Sequence, residues 1–322
     1  MRDEPRRLDV LCVGEALVDF LPDGKGKRVR DVVRWTRCPG GSPANVAIGL
    51  SRLGASSAFL GVVGEDEFGA FLREALSAEG VEVAALRHTR QGKTGIVFVS
   101  IDDEGDRTFA FYRKGAAEFL LDASDVERAP LSSARIVHLG TNSLMLPAAA
   151  EAARRLFQGA RERGCLTSCD PNLRLHLWED PQILRRLVGE LLRMADVVKV
   201  AEDEAEFCTG EKEPGEAALA LARLGATLGV VTLGAAGAIY CFQGKLERVA
   251  SPTVEAVDAT GAGDGFVAGL LSKIAAELRR GRRLSTLDAA EVKAFVTFGC
   301  QVGSKVVTQL GAVAGLPRLG QL

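Results

Sequence analysis

Asp264 is the residue best placed to do chemistry in this sequence. It closes the segment DATGAGD at 258–264, and the three residues before it, Gly261, Ala262 and Gly263, have little or no side chain. Their backbone N–H groups can therefore approach an anion such as a phosphate. The apolar spacing that follows predicts a helix, whose dipole also favours an anion at its N-terminus. A carboxylate beside such a site can accept a hydroxyl proton while the amides hold a phosphoryl group.

A simpler interpretation is that Asp264 caps this helix, because Asp is a preferred N-cap residue. Capping explains the aspartate but not the run of small residues before it, so catalysis is favoured. The segment from Gly263 to Ala268 also matches G-x-G-x-x-A, a dinucleotide-binding pattern. No acidic residue follows at a strand end about 20 residues later, and Asp264 would repel a pyrophosphate, which argues against a dehydrogenase.

A second segment rich in glycine precedes a predicted helix at CPGGSPANVAIGLSRLG, residues 38–54. Gly40 and Gly41 let the backbone come close to a ligand, and Asn45 lies one turn into the helix, where its amide can point back toward the same loop. The tripeptide from Gly92 to Thr94 imitates the end of a P-loop. The first glycine of that motif is missing, so a P-loop kinase is not predicted.

Short β-branched segments alternate with helical ones, which predicts a parallel sheet with helices on both faces. The strand segments are 9–14, 56–64, 134–140, 166–170, 196–200 and 228–234. The helical segments are 43–53, 67–79, 147–163, 180–194 and 213–224.

Two segments, 18–38 and 94–115, depart from this alternation. They read as antiparallel ribbons, the second with a polar turn at Asp102 to Asp106. We expect them to form a small β-sheet lid inserted in a single domain that spans residues 1–322. The alternative is a pair of edge hairpins without a gating role.

The composition is that of an ordinary globular protein, with 47% hydrophobic and 25% charged residues and a net charge of -2. This balance gives no reason to expect a nucleic-acid partner.

The seven cysteines are spread along the chain, which favours reduced thiols and a cytoplasmic location. Cys165 and Cys169 form the closest pair, but no second pair completes a zinc site. The charged segment MRDEPRR at residues 1–7 is unlike a signal peptide, and no apolar run is long enough to span a membrane.

Five ordered motifs together resemble the ribokinase-like (PfkB) carbohydrate kinase family: GGSPANVA (40–47), GVVGEDEFG (61–69), DPNLR (170–174), VTLGAAGA (231–238) and DATGAGD (258–264). The segments GEALVDFLP (14–22), FAFYRKGAAEFLL (109–121) and DPNLRLHLW (170–178) are most similar to the fructokinase branch. The resemblance implies a three-layer α/β/α domain with a mainly parallel central sheet and a small β-sheet lid. It also implies an ATP- and Mg²⁺-dependent kinase, most simply for D-fructose, that forms a homodimer.

The resemblance further implies roles for individual residues. The sugar would be bound by Asp19, Gly40, Gly41, Asn45, Phe111, Arg113 and Arg174. The nucleotide would be lined by Lys199, Glu202, Thr232, Gly234, Gly237 and Cys300. Glu202 would organise magnesium through water, and a monovalent cation such as K⁺, which the family often has, would lie near Asp258. Lys199 and Cys300 replace asparagines found in many members.

Three alternatives stay open at this point. A 2-keto-3-deoxygluconate kinase would use Arg113 and Arg174 to bind the carboxylate of its substrate. Another sugar or nucleoside kinase of the same family is the second alternative. The third is a sugar-sensing or scaffold protein that has lost catalysis, against which the intact Asp264 argues.

Overall fold

The computed structural model describes residues 8–24, 26–101 and 107–322. The predicted turn at Asp102 to Asp106 and the segment MRDEPRR lie outside these ranges. The strands are β1 (Leu8–Val13), β2 (Leu17–Pro22), β3 (Trp35–Gly40), β4 (Ser57–Gly64), β5 (Leu86–Thr89), β6 (Ile96–Ile101), β7 (Arg107–Tyr112), β8 (Ala134–Gly140), β9 (Leu166–Asp170), β10 (Val197–Ala201), β11 (Leu228–Thr232), β12 (Ala238–Phe242) and β13 (Lys245–Val249). The helices are α1 (Ser42–Arg52), α2 (Glu67–Ala78), α3 (Ala123–Arg128), α4 (Pro147–Glu162), α5 (Pro181–Met194), α6 (Glu202–Thr209), α7 (Pro214–Arg223), α8 (Ala262–Arg279) and α9 (Ala289–Val306).

The large sheet has nine strands in the order β13-β12-β11-β10-β9-β8-β1-β4-β5. From β11 to β5 neighbouring strands run parallel, whereas β12 and β13 form an antiparallel edge. The predicted mainly parallel sheet is confirmed. Because the carboxyl ends of parallel strands meet at one edge, the loops after β1, β8, β9 and β10 open toward the same side.

Both faces of this sheet are buried under helices, and β1 shows why its strands are apolar without alternation. Val10 and Cys12 belong to the core shared with α1, α2, α8 and α9. Leu11 and Val13 belong to the opposite core with α4, α5 and α7. The predicted three-layer arrangement follows from this division. In the described ranges, none of the helices combines the length and apolar character needed to cross a bilayer.

The two irregular segments join into one small sheet of four strands in the order β3-β2-β6-β7. β2 pairs antiparallel with β3, and β6 pairs antiparallel with β7, as the ribbons predicted. β2 and β6 then pair in parallel and unite the two ribbons. One face of this sheet buries Leu17, Leu21, Val97 and Val99.

Candidate active site

Helices α1 and α8 bring together the two glycine-rich segments found in the sequence. They pack closely at Gly49, where an added Cβ would lie 2.7 Å from the Cβ of Ala268. Each helix begins after a glycine with positive φ, Gly41 at 101° and Gly261 at 80°, a backbone conformation that L side chains rarely adopt. The N-terminal turns of the two helices therefore face each other across the carboxyl edge of the sheet.

Asp264 is the centre of this meeting point. Its side chain is buried, with 8% of the residue exposed. Oδ1 accepts a hydrogen bond of 2.7 Å from Ser42 Oγ, and Oδ2 accepts one of 2.8 Å from Asn45 Nδ2. The cap of α8 is Gly261, and Asp264 lies within the first turn, so the N-cap interpretation is wrong.

Burial raises the pKa of the Asp264 carboxyl above its ordinary value. The hydrogen bonds from Ser42 and Asn45 and the positive charges of Lys199 and Arg174 oppose this shift without cancelling it. A carboxylate with a raised pKa is a stronger base, which suits the abstraction of a hydroxyl proton.

The N-terminus of α8 keeps backbone amides open toward an anion. No side chain caps the helix, and the amides of Gly261 and Gly263 have no acceptor within the part of the chain described. The amide of Ala262 donates to the carbonyl of Ala259 at 3.3 Å. The structure therefore offers two of the three predicted amides to a phosphate, together with the helix dipole.

Lys199 supplies a positive charge beside these amides. It is 6% exposed, and its Nζ lies 3.1 Å from Asp170 Oδ2 and 3.1 Å from where a Cβ on Gly263 would be. Burial disfavours the charged ammonium, but the carboxylates of Asp170, Glu204 and Asp264 outweigh burial and raise the pKa of Lys199. The lysine therefore stays protonated next to the anion site.

The acid that belongs to this cluster is Glu204 rather than Glu202. Glu202 is exposed at the start of α6. Glu204 is buried, and its carboxylate accepts hydrogen bonds from the backbone N–H groups of Leu173 at 2.5 Å and Ala201 at 2.8 Å. The sequence held a signal for this, since a Glu at the third helical position commonly turns back to the N-cap amide.

The first predicted sugar residues lie where the small sheet meets α1. An added Cβ on Gly40 would come 2.2 Å from Asp19 Oδ2, and one on Gly41 would come 2.3 Å from the carbonyl of Glu15. Both positions therefore require glycine for close approach. Asn45 donates to Asp264 through Nδ2, and its Oδ1 is buried without a partner among the described residues.

Phe111 and Arg174, two further predicted sugar residues, belong to different segments. Phe111 packs its ring against His176, with centroids 5.0 Å apart. Arg174 is half-buried, donates to the carbonyl of Leu173 at 2.9 Å and lies close enough for its charge to lower the pKa of Asp264. The structure thus brings the positive charge of Arg174 close to the candidate base.

Arg113 is not the free cation that the sequence suggested. It follows β7 and is 5% exposed, and its Nε donates to Glu118 Oε1 at 2.8 Å. Nη2 approaches the carbonyl of Asn142 at 3.4 Å. Its charge is already balanced by a fully buried carboxylate, which sequence reasoning missed.

The residues predicted around the nucleotide differ in their surroundings. Thr232 ends β11 and is half-buried, and Gly234 adopts a φ of 55° with open space around it. Gly237 is required by packing, because an added Cβ would lie 2.0 Å from the carbonyl of Val249. Cys300 is buried within α9, where burial raises its pKa to about 11, so it offers no thiolate.

Asp258 locks the loop that leads into α8. Its Oδ1 accepts from the amide of Thr260 at 2.5 Å, and its Oδ2 accepts from the amide of Gly311 at 2.6 Å. The segment 307–316 also contacts the loop through Ala312, which lies against Gly261. Across residues 8–24, 26–101 and 107–322, no group of three or more His, Cys, Asp or Glu side chains could hold a metal by itself.

Gly263→Ala is expected to lower kcat/KM for ATP on the order of 10²-fold, because the added methyl would lie between Lys199 and the anion site and displace a bound phosphate. The backbone of Gly263 has no positive φ, so the thermal midpoint should not fall. Steady-state kinetics and thermal unfolding of the same preparation test this. Unchanged kinetics would mean that phosphate does not approach Gly263.

Comparisons with known proteins agree with this geometry. The family model described as pfkB family carbohydrate kinase matches residues 7–319. The fructokinase of Escherichia coli is 35% identical over 309 residues, which cover 96% of this chain and 96% of that protein.

Two solved structures share the fold over nearly the whole chain. A double-mutant fructokinase from Vibrio cholerae O395, bound to fructose, ADP and potassium ion, has a TM-score of 0.85 and 34% identity, covering 98% of this chain and 96% of that one. A putative ribokinase II from E. coli, in complex with ATP and Mg²⁺, has a TM-score of 0.84 and 27% identity, covering 97% and 96%. With a matching family model and a site built around Asp264, the chain belongs to the pfkB family of carbohydrate kinases.

Proposed function

We propose that this protein is an ATP-dependent fructokinase that converts D-fructose to fructose 6-phosphate. The observation that carries the proposal is the buried carboxylate of Asp264, held by Ser42 and Asn45 at a helix N-terminus whose amides and neighbouring Lys199 favour a phosphate. The similarity to fructokinases supports fructose as the acceptor.

The proposed reaction needs an alcohol oxygen between Asp264 and the terminal phosphate of ATP. As this oxygen attacks phosphorus, its proton passes to the carboxylate, and the bond between phosphorus and the leaving ADP oxygen breaks. The open amides of Gly261 and Gly263 and the ammonium of Lys199 stabilise the charge on the transferred group. Asp19 binds hydroxyl groups of the sugar, since a carboxylate accepts two such donors.

Magnesium fits the acidic cluster beside Lys199. Mg²⁺ keeps several waters and binds mainly to substrate phosphates and one or two carboxylates, and we propose Asp170 and Glu204 as the acids that hold its waters. When bound, the ion neutralises charge on the ATP phosphates. A monovalent cation would lie near Asp258, whose carboxylate accepts the backbone amides of Thr260 and Gly311 and so fixes the loop beside it.

A neutral sugar suits the site better than 2-keto-3-deoxygluconate. Arg113 is paired with Glu118, and burial disfavours any further charge close to that pair. The charge of Arg113 also acts on a second buried acid, Glu15. One of the two arginines that would bind a substrate carboxylate is therefore already neutralised.

An ADP-release assay over fructose, ribose, tagatose, 2-keto-3-deoxygluconate and nucleosides tests the proposal. We expect fructose to give the highest kcat/KM. A preference for 2-keto-3-deoxygluconate or a nucleoside would indicate a different kinase activity of the same family. No turnover with any acceptor would favour a sugar-binding protein without catalysis.

We further propose a cytoplasmic homodimer. All seven cysteines are free thiols, as expected in a reducing compartment. The small sheet leaves aromatic surface exposed, with Tyr112 at 66%, and a second copy could cover it. Analytical ultracentrifugation distinguishes monomer from dimer.

A further inference from the structure

Glu15 is a buried acid that the phosphoryl transfer described above does not use. It lies between β1 and β2 and is 2% exposed. Its Oε1 accepts a hydrogen bond of 3.3 Å from the backbone N–H of Ser42, the first residue of α1. Ser42 Oγ in turn donates to Asp264 Oδ1 at 2.7 Å. A single residue therefore connects Glu15 to the catalytic carboxylate.

Keeping a carboxylate at this position costs stability. Its second oxygen, Oε2, is buried and has no hydrogen-bond donor among the residues that the structure describes, and an unsatisfied buried acceptor is unfavourable. Burial raises the pKa of Glu15, and the negative charge of Asp264 adds to the shift, whereas Arg113 opposes it. Packing alone would favour an apolar side chain here, so the residue type calls for another explanation.

Glycines lie next to both the backbone and the side chain of Glu15. An added Cβ on Gly41 would lie 2.3 Å from the carbonyl oxygen of Glu15. An added Cβ on Gly140 would lie 3.9 Å from Glu15 Oε2 and 2.8 Å from a ring carbon of Pro43. The backbone of Glu15 thus lies against Gly41, and its carboxylate lies next to Gly140.

Glu15 also interacts with Arg113, the residue at which the chain leaves the small sheet. It precedes β2, where the chain first enters that sheet, and Arg113 follows β7, where the chain leaves it. The guanidinium of Arg113 lowers the pKa of Glu15 while pairing directly with Glu118. Opposite charges at the entry and exit thus interact in one buried layer beside α1.

We propose that Glu15 is a positioning residue, which fixes the first turn of α1 and, through Ser42, the orientation of Asp264. Its attraction to Arg113 ties that orientation to the position of the small sheet. The proposal deepens the kinase function and needs only a sugar acceptor, whichever sugar that is.

Three variants test the proposal in the full-length protein with fructose and ATP. Glu15→Ala removes the acceptor of the Ser42 N–H, and we expect kcat per folded molecule to fall about 10- to 10²-fold. Both KM values should stay within about twofold, because no substrate contact is lost. Glu15→Gln keeps a carbonyl acceptor and should restore most of the lost kcat. Asp9→Asn is the matched control, since Asp9 is an equally buried acid on β1 that pairs with Arg279 instead.

The pH dependence of kcat/KM also tests the proposal, because a purely structural role of Glu15 would leave it unchanged. The negative charge of Asp264 raises the pKa of Glu15, and by electrostatic reciprocity an ionised Glu15 disfavours the ionised form of Asp264. In Glu15→Gln the acidic limb of kcat/KM should therefore move to lower pH.

The double variant Glu15→Ala with Ser42→Ala should lose little more activity than Ser42→Ala alone, because both act on Asp264 through the same residue.

Several results would overturn the proposal. These are a kcat of Glu15→Ala within about twofold of the wild type, a Gln variant no better than the Ala variant, or an equal loss in Asp9→Asn. If Glu15→Ala does not fold, the Gln variant decides, and an acidic limb that does not move overturns the proposal. If the wild type ignores fructose, the fructose proposal fails by itself, and the same variants are compared with the sugar from the panel that the wild type phosphorylates.

Discussion

Asp264→Asn lowers kcat by about 10²–10⁴, the range expected when a general base is lost, while sugar binding is largely retained. The substituted amide has the same shape but cannot take the proton of the attacking hydroxyl. The geometry should survive, because Oδ1 of Asn45 has no partner within the described ranges and that amide can turn to accept a bond from the new side chain. ADP release and calorimetric sugar binding measure the two effects.

Stability provides the control for this variant. The folded-state pKa of Asp264 is raised, so above that pKa the ionised carboxyl favours the unfolded chain, and this penalty disappears only as the pH falls below the ordinary value. Asn removes the penalty at neutral pH, and the thermal midpoint should be unchanged or higher. A variant with nearly normal kcat would show that another group accepts the proton.

Arg113→Ala is expected to lower the free energy of unfolding by about 3–5 kcal/mol, because it leaves the buried carboxylate of Glu118 without its partner. Chemical denaturation at neutral pH measures the change. The double variant with Glu118→Ala should be less destabilised than the sum of the two single variants, because no uncompensated charge remains.

The surface pair of Arg90 and Glu65 is the matched control for this prediction. Arg90 makes a similar two-bond contact with its partner but is 84% exposed, so Arg90→Ala should leave the denaturation midpoint almost unchanged. If Arg113→Ala is as mild as Arg90→Ala, the buried pair does not stabilise the junction between the small sheet and the main domain.

The sequence was sufficient to predict the architecture because the local signals agreed with the final packing. Strand segments such as 134–140 and helices such as 147–163 appear within about one residue of their predicted bounds. Buried parallel strands are apolar throughout, and amphipathic helices show their period, so both patterns are visible without tertiary information. The antiparallel edge formed by β12 and β13 was missed, because each strand is only five residues long and β13 is largely polar.

The site was predicted where glycine spacing carried the signal and missed where partners are distant in sequence. Asp264 and the loop before it were found, yet Ser42, which is 222 residues away, was passed over because a serine after two glycines looks like an ordinary helix start. Glu118 carries no signal in its local sequence, and only the fold shows that it neutralises Arg113. Partnerships of this kind depend on three-dimensional proximity, which residue spacing does not encode.

The contact between Asp258 and Gly311 has a consequence for how the protein is made and handled. The two residues are 53 positions apart. During synthesis, Asp258 and the nearby Asp264 therefore leave the ribosome before the segment that stabilises their loop. The same segment reaches α1, where Arg52 donates to the carbonyls of Val313 and Leu316. Proteolytic trimming or a premature stop before residue 311 would leave every catalytic side chain present while both helices lose a shared support.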